Sequence, residues 1–279
     1  MYTEKSVELK SDFYTRFGET TGELCFERVG APCVIMDSGS HALAFALGCG
    51  VRAYGRRYGD VLRILNAGSN VCDVHFMKSG RGAQILYSAD VPGLPGMKDT
   101  AAFAIEKLLV RMSIAEGHSM AGSAAAICDR YGSGGWCAYA SYDEIKEIPL
   151  PLTGYNVLLI RTRRKKNKKI PRDVIEQYCA EEKERIIAAA DGLKKCRINV
   201  LFDMINESER AYEYLMNPPE QAAAAVKAAM SLDGVKAAKI CDNGVICFTV
   251  KDKTDSIIHA VSIEYEKKTG FSAEVLVVK

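Results

Sequence analysis

The spacing of apolar residues changes character several times along the chain, and each change predicts a different kind of element. Gly22 to Val29 and Pro32 to Met36 read as short strands, Ala42 to Arg57 carries Leu, Phe, Val and Tyr at close spacing, and Asp60 to Leu65 resumes an apolar alternation. The first third is therefore expected to be rich in β-structure. The cluster from Val91 to Gly96, with Pro92, Gly93 and Pro95, breaks the pattern. Asp99 then caps a helix running to about Ala115, with Phe103, Ile105, Leu108, Leu109 and Met112 as its apolar positions. A small-residue stretch, Gly117 to Ala126, and a glycine-rich turn at Gly132 to Gly135 follow.

The second half opens with an extended, proline-bearing approach, Ile148 to Tyr155, and a buried strand over Asn156 to Thr162, where Val157 to Ile160 is continuously apolar. Helical spacing covers Arg172 to Lys195, Asn199 to Met216 and Pro219 to Leu232. The period then falls to two. Lys236 to Cys241 and Val245 to Val250 flank Asp242-Asn243-Gly244, a hairpin signal, before a helix over Thr254 to Lys268 and a last strand over Glu274 to Val278. Strand, helices, hairpin, helix and strand describe an α+β layer, and the composition shift near Pro149 and Pro151 places a domain boundary there, giving domains 1–152 and 153–279.

Composition narrows the classes. Apolar residues make up 48% of the 279 positions and charged residues 26%, the proportions of a folded globular chain. Thirty-seven Lys and Arg against thirty-five Asp and Glu leave +2, which argues against a chain-wide nucleic-acid or membrane-surface role. The stretch from Ala31 to Val51 contains Asp37, His41 and several glycines, so it does not read as a membrane span. Met1 to Asp12 mixes charged and polar residues, without the apolar run of a secretory signal, so a cytoplasmic location is expected. The ten cysteines form no CxxC pair and sit mostly among Val, Ile, Ala and Phe, which points to reduced core residues rather than zinc ligands or disulfides. No metal site is expected. Arg161 to Lys169 sets seven cations in nine positions; it reads as a solvated loop, with attraction for phosphate polyanions as the other reading.

Several stretches, in order, resemble the galactokinase family of the superfamily that also holds homoserine, mevalonate and phosphomevalonate kinases, the GHMP kinases. The phrase Glu147-Ile-Pro-Leu-Pro-Leu-Thr-Gly-Tyr-Asn-Val-Leu-Leu-Ile160 looks like the family segment that leads into a strand of the C-domain. Leu232 to Ile240, the hairpin, the helix ending Glu264 to Gly270 and the closing strand continue it, while Phe13 to Gly18, Val29 to Arg57 and Gly59 to Ala67 follow the spacing of the family's opening strands. The resemblance implies a two-domain GHMP-kinase-like α+β fold, with a β-rich N-domain, a ferredoxin-like α+β C-domain, and part of the N-domain deleted. It also implies an ATP-dependent sugar 1-kinase of carbohydrate metabolism, with Mg-ATP as its cofactor.

The family's motifs are altered here. Where the sugar motif carries an Arg that stabilises the transferring phosphoryl group, this chain has Pro32, which offers neither charge nor donor. Asp37, Ser38 and His41 lie at or beside the sugar-binding positions and are the substrate-binding candidates that the resemblance implies. The phosphate motif opens a helix with glycines and serines so that backbone N–H groups reach the phosphates. Its counterpart, Gly117-His-Ser-Met-Ala-Gly-Ser-Ala-Ala-Ala126, retains Ser119, Gly122 and Ser123 as ATP-binding candidates, with a small-residue helix start packed on a sheet as the structural alternative. The third motif's counterpart, Cys241 to Cys247, looks like an ordinary hairpin whose Asp242 would repel a triphosphate.

Ala126-Ile-Cys-Asp-Arg-Tyr131 resembles the phrase whose Asp takes the sugar hydroxyl's proton, making Asp129 the candidate base. As a base, Asp129 would face a place where a hydroxyl can sit; otherwise it would cap a turn or pair with a neighbouring cation such as Arg130. These features favour a non-catalytic pseudokinase that binds a sugar, a nucleotide or a protein partner. The alternative is an active galactokinase or related sugar kinase with atypical motifs.

Overall fold

The computed structural model describes residues 2–19, 22–69, 72–77, 81–91, 97–115, 120, 122–162, 170–241 and 244–278. The chain divides into two compact units. One comprises Met1–Ala31 and Gly48–Asp129, the other Pro32–Leu47 and Arg130–Lys279. Two long strands, β1 (Cys25–Asp37) and β2 (Ala42–Arg57), each contribute residues to both units.

In the first unit the chain starts as helix α1 (Tyr2–Phe17), which the sequence pattern did not signal because Leu9, Phe13 and Phe17 form a single narrow stripe among charged and polar residues. Leu9 and Phe13 pack with Tyr54 of β2 and Leu86 of β5 (Ala83–Ala89). β5 runs antiparallel to β2, from Val51 opposite Ala89 to Arg57 opposite Ala83. On its other side β5 pairs in parallel with β3 (Val61–Asn66), which is antiparallel to β4 (Cys72–Phe76). Side chains alternate across this sheet. Arg52, Tyr54 and Arg56 share the face that α1 covers, while Gly55 lies on the opposite face, where a Cβ would come within 3.3 Å of Leu108 and Met112. Leu108 belongs to α2 (Met97–Arg111), which starts two residues before Asp99 and ends short of Ala115, so Asp99 lies in its first turn rather than capping it. The breaker cluster at 92–96 lies outside the described residues. α3 (Ala124–Tyr131) follows.

In the second unit, the Ala42–Ala44 end of β2 pairs antiparallel with β6 (Trp136–Ala140), and β6 with β7 (Ile145–Pro149). A separate four-stranded antiparallel sheet has the order β11-β8-β10-β9, built from β8 (Tyr155–Arg161), β9 (Val235–Cys241), β10 (Gly244–Val250) and β11 (Glu274–Val277). Helices α4 (Arg172–Lys194), α5 (Ile198–Met216), α6 (Glu220–Met230) and α7 (Thr254–Thr269) complete it. The apolar run Val157–Ile160 is fully buried because both faces of its sheet are covered. Leu158, Ile160, Val245 and Cys247 pack with Val226 and Ala229 of α6 and with Ile257, Val261 and Tyr265 of α7. On the opposite face Phe248 meets Phe202 of α5 with ring centroids 5.5 Å apart.

The hairpin forms as the Asp-Asn-Gly signal requires, with Gly244 paired to Cys241; residues 242 and 243 lie outside the described residues. Gly244 has φ +129°, and a Cβ there would sit 2.4 Å from the carbonyl oxygen of Ile160. Only glycine allows β10 to approach β8 this closely. Cys25, Cys33, Cys49, Cys128, Cys137 and Cys247 are buried. Burial pushes the Cys49 thiol up to about 11 and the Cys247 thiol up to about 12, which keeps both protonated near neutrality. Among the described residues no helix is long and apolar enough to cross a membrane.

Candidate functional site

The residues singled out from the sequence fall in two places, one in each unit. In the second unit Asp37 ends β1 and His41 precedes β2, so the segment between them is a tight turn. Ser38 is buried, and its Oγ accepts the His41 N–H at 2.9 Å and donates to the His41 carbonyl at 3.1 Å. Ser40 Oγ lies 3.0 Å from His41 Nδ1, and Asp37 Oδ1 accepts the Gly39 N–H at 2.7 Å. Ser38 and His41 are thus brought together, and each polar side chain of the turn has a partner within the turn itself. The His41 ring also lies 6.0 Å from that of Tyr139 on β6. Pro32 lies on β1, where its missing N–H and fixed φ are tolerated in extended backbone.

In the first unit, Gly122 and Ser123 precede α3, and Asp129 lies near its end. Ser123 caps the helix: its Oγ accepts the Ala126 N–H at 3.2 Å and its carbonyl accepts the Ile127 N–H. Among the described residues nothing lies within 4 Å of the Cβ position at Gly122. Ser119 lies outside the described residues. Glu106 of α2 reaches this segment, its Oε2 accepting the Met120 N–H at 3.1 Å, which brings negative charge beside the helix start.

Asp129 Oδ2 accepts from Lys107 Nζ at 3.0 Å, and the same ammonium lies 3.2 Å from Glu27 Oε2, whose other oxygen is 3.3 Å from Arg111. Burial works against the charge on Lys107, but Asp129 and Glu27 outweigh it and raise its pKa, so the lysine stays cationic. Lys107 and Glu27 carry no signal in the sequence, because Lys107 is one more polar position on the exposed stripe of a helix. The guanidinium of Arg130, the other cation the sequence offered to Asp129, lies 5.1 Å from the ring centroid of Tyr131.

A further polar cluster, absent from the sequence reading, is buried in the second unit between β9 and the helices α4 and α5. Lys239 Nζ donates to Glu182 Oε1 at 3.0 Å and to Tyr178 Oη at 3.2 Å, and is in contact with Ser208 Oγ. Ser208 Oγ donates to Glu182 Oε1 at 2.6 Å, while Arg185 holds Glu182 Oε2 at 3.2 Å. Burial, then the charge of Glu182, raises the Tyr178 phenol well above its ordinary range. Beside them Glu209 Oε2 accepts the Ile240 N–H at 2.9 Å. Burial pushes Glu209 up to about 7 despite that hydrogen bond and the nearby lysine. Among the described residues no group of three or more His, Cys, Asp or Glu is placed to hold a metal ion.

No family model and no curated protein matches the sequence. The fold, in contrast, is similar to that of solved kinases along nearly the whole chain. The galactokinase of Lactococcus lactis, solved with galactose, superposes with a TM-score of 0.76 at 12% identity, covering 98% of this chain and 97% of that one. Homoserine kinase from Cytophaga hutchinsonii gives 0.64 at 14% identity, covering 94% and 96%, and mevalonate kinase from methicillin-resistant Staphylococcus aureus 0.63 at 13%, covering 92% and 99%. The chain therefore has the mixed α+β fold of the GHMP kinases, as its motifs imply, and fits it within 279 residues.

Proposed function

We propose that this protein is a galactokinase-like pseudokinase: it keeps the kinase fold, does not transfer phosphate, and binds a small molecule or a protein partner. The observation that carries this reading is the turn at residues 37–41. Ser38 Oγ is engaged by the backbone N–H and carbonyl of His41, Ser40 Oγ bonds His41 Nδ1, and Asp37 Oδ1 accepts the Gly39 N–H. A sugar hydroxyl entering there would have to displace bonds already made. Three other features support it. Pro32 supplies no charge where the family places a transition-state arginine. Ser123 closes its own helix, and Glu106 sets a carboxylate where a phosphate would need positive potential. Asp129 is paired with Lys107, so its carboxylate is already engaged by a cation. A cytoplasmic location belongs to the same reading, as do the domains 1–152 and 153–279.

Removing one preorganised donor from a transition state costs about 2.7–4 kcal/mol, so several altered motifs together leave turnover far below the ordinary range. The test is a coupled ADP-release assay with Mg-ATP and galactose at high protein concentration, alongside thermal melts with each ligand. No sugar-dependent ADP release is expected. Turnover above ~1 per second, lost in Asp129→Asn, would instead establish the active sugar kinase with Asp129 as its base.

A further inference from the structure

The face of the first unit's sheet that α1 covers holds an arginine whose bonding is incomplete. Arg52 is 3% exposed and forms an ion pair with Asp90, whose Oδ2 also accepts the Gly50 N–H at 2.9 Å. That pair occupies the terminal guanidinium nitrogen NH2, and among the described residues the Arg52 Nε has no hydrogen-bond partner. An unmatched donor on a buried guanidinium is costly, because its desolvation is not repaid by a hydrogen bond. Arg52 lines a cavity of about 400 Å³, within the range of small-molecule sites.

The cavity is assembled from two elements in register. Arg52 on β2 stands opposite Ser88 on β5, and Asp90 follows two residues on, so all three project to the same side. From above, α1 contributes Lys5, Glu8 and Asp12, spaced to share one helix face, with Leu9 beneath them. Ala67 and Ala89 supply apolar wall.

The charges select the ligand. A simple anion drawn to Arg52 and Lys5 would face the carboxylates of Glu8, Asp12 and Asp90. A simple cation would satisfy those carboxylates and leave the Arg52 Nε unmatched. We infer that the cavity between α1 and the β2–β5 pair is a binding site for a small zwitterion of the amino-acid class, its carboxylate taken by Arg52 and Lys5 and its ammonium by Glu8, beside Asp12, whose Oδ2 already lies 3.4 Å from Arg16 Nε. Leu9, Ala67 and Ala89 favour an apolar side chain on that ligand. The site uses none of the residues of the kinase motifs, so it stands whether or not the protein transfers phosphate.

The test is isothermal titration of the full chain with L-leucine and with its two half-probes, 4-methylpentanoate, which lacks the ammonium, and 3-methylbutylamine, which lacks the carboxylate. Saturable leucine binding is expected, with each half-probe weaker by at least about tenfold, the value of one charge-assisted pair. Arg52→Lys keeps a cation beside Asp90 but removes the Nε, and should abolish binding. Should Arg52→Lys fail to fold, Lys5→Gln and Glu8→Gln, both on the exposed side of α1, decide instead, each weakening leucine by about fivefold. Absence of leucine binding at about 10 mM, half-probes as tight as leucine, or indifference to the α1 variants would each overturn the assignment.

Discussion

Lys239 carries a charge into a layer that is otherwise aromatic and aliphatic, and it is tolerated because Glu182, Ser208 and Tyr178 all meet it there. Glu182 is fully buried and shares its two oxygens between Lys239, Ser208 and Arg185. Lys239→Met should therefore lower unfolding stability by about 3 kcal/mol in urea titrations, because it leaves a buried carboxylate short of a partner, whereas adding Glu182→Gln should restore much of the loss. Glu209 makes a separate, pH-dependent contribution. Its pKa in the fold is about 7, above the ordinary ~4.3, so the native state keeps a proton that the unfolded chain releases. That favours folding below pH ~4.3 and is lost as pH rises toward 7, a decline of roughly 3 kcal/mol across the interval. Glu209→Gln should flatten that part of the stability–pH curve and gain its advantage above pH 7, as chemical denaturation at a series of pH values would register. None of these partners was legible in the sequence. Tyr178, Glu182, Ser208 and Lys239 read as polar positions on amphipathic elements, and only the packing of α4 and α5 over β9 brings them together. Asp37, Ser38 and His41, singled out together from the sequence, do fall in one turn because they are neighbours along the chain.

At the scale of elements, the sequence located most of the second unit closely. Helices α4, α5, α6 and α7 and strands β8, β9 and β10 begin and end within a few residues of the apolar periodicity, because each buries a full face under a continuous core. The first unit was harder to read. The two short strands expected at Gly22–Val29 and Pro32–Met36 are one strand, β1, in which Gly30 and Pro32 are accommodated without a break. β4, β6 and β7 are five residues each and α1 has a single apolar stripe, so none offers a repeat long enough to stand out. The Gly244 position shows how one residue fixes an element's placement. Gly244→Ala must either leave φ +129° or push β10 from β8, and should cost about 2 kcal/mol or more in thermal melts, with the hairpin's amide protection falling first.

For the whole molecule, fold and chemistry are read from different parts of the chain. The fold is similar to that of a galactokinase at a TM-score of 0.76 although only 12% of positions are identical. Phosphoryl transfer depends instead on a handful of residues, and on the pseudokinase reading these are Pro32 of β1, the self-bonded turn after that strand and the capped start of α3. Melts with Mg-ATP, galactose or both should accordingly show little displacement of the midpoint. A ligand present at ~100 times its dissociation constant would add about 2.7 kcal/mol, so retained affinity of either kind would be plainly visible.

β1 and β2 give residues to both compact units, and this shapes how the protein is born. Residues 42–44 of β2 leave the ribosome early, yet their partner strand is residues 138–140 of β6. At ~5–20 residues per second, the intervening chain takes about 5–20 s to synthesise. Throughout that wait the nascent protein presents an apolar strand end, Leu43 to Leu47, with open backbone donors and acceptors, a template for pairing with another chain. Slower synthesis or chaperone depletion should therefore lower the yield of folded protein while leaving the melting temperature of the purified chain unchanged.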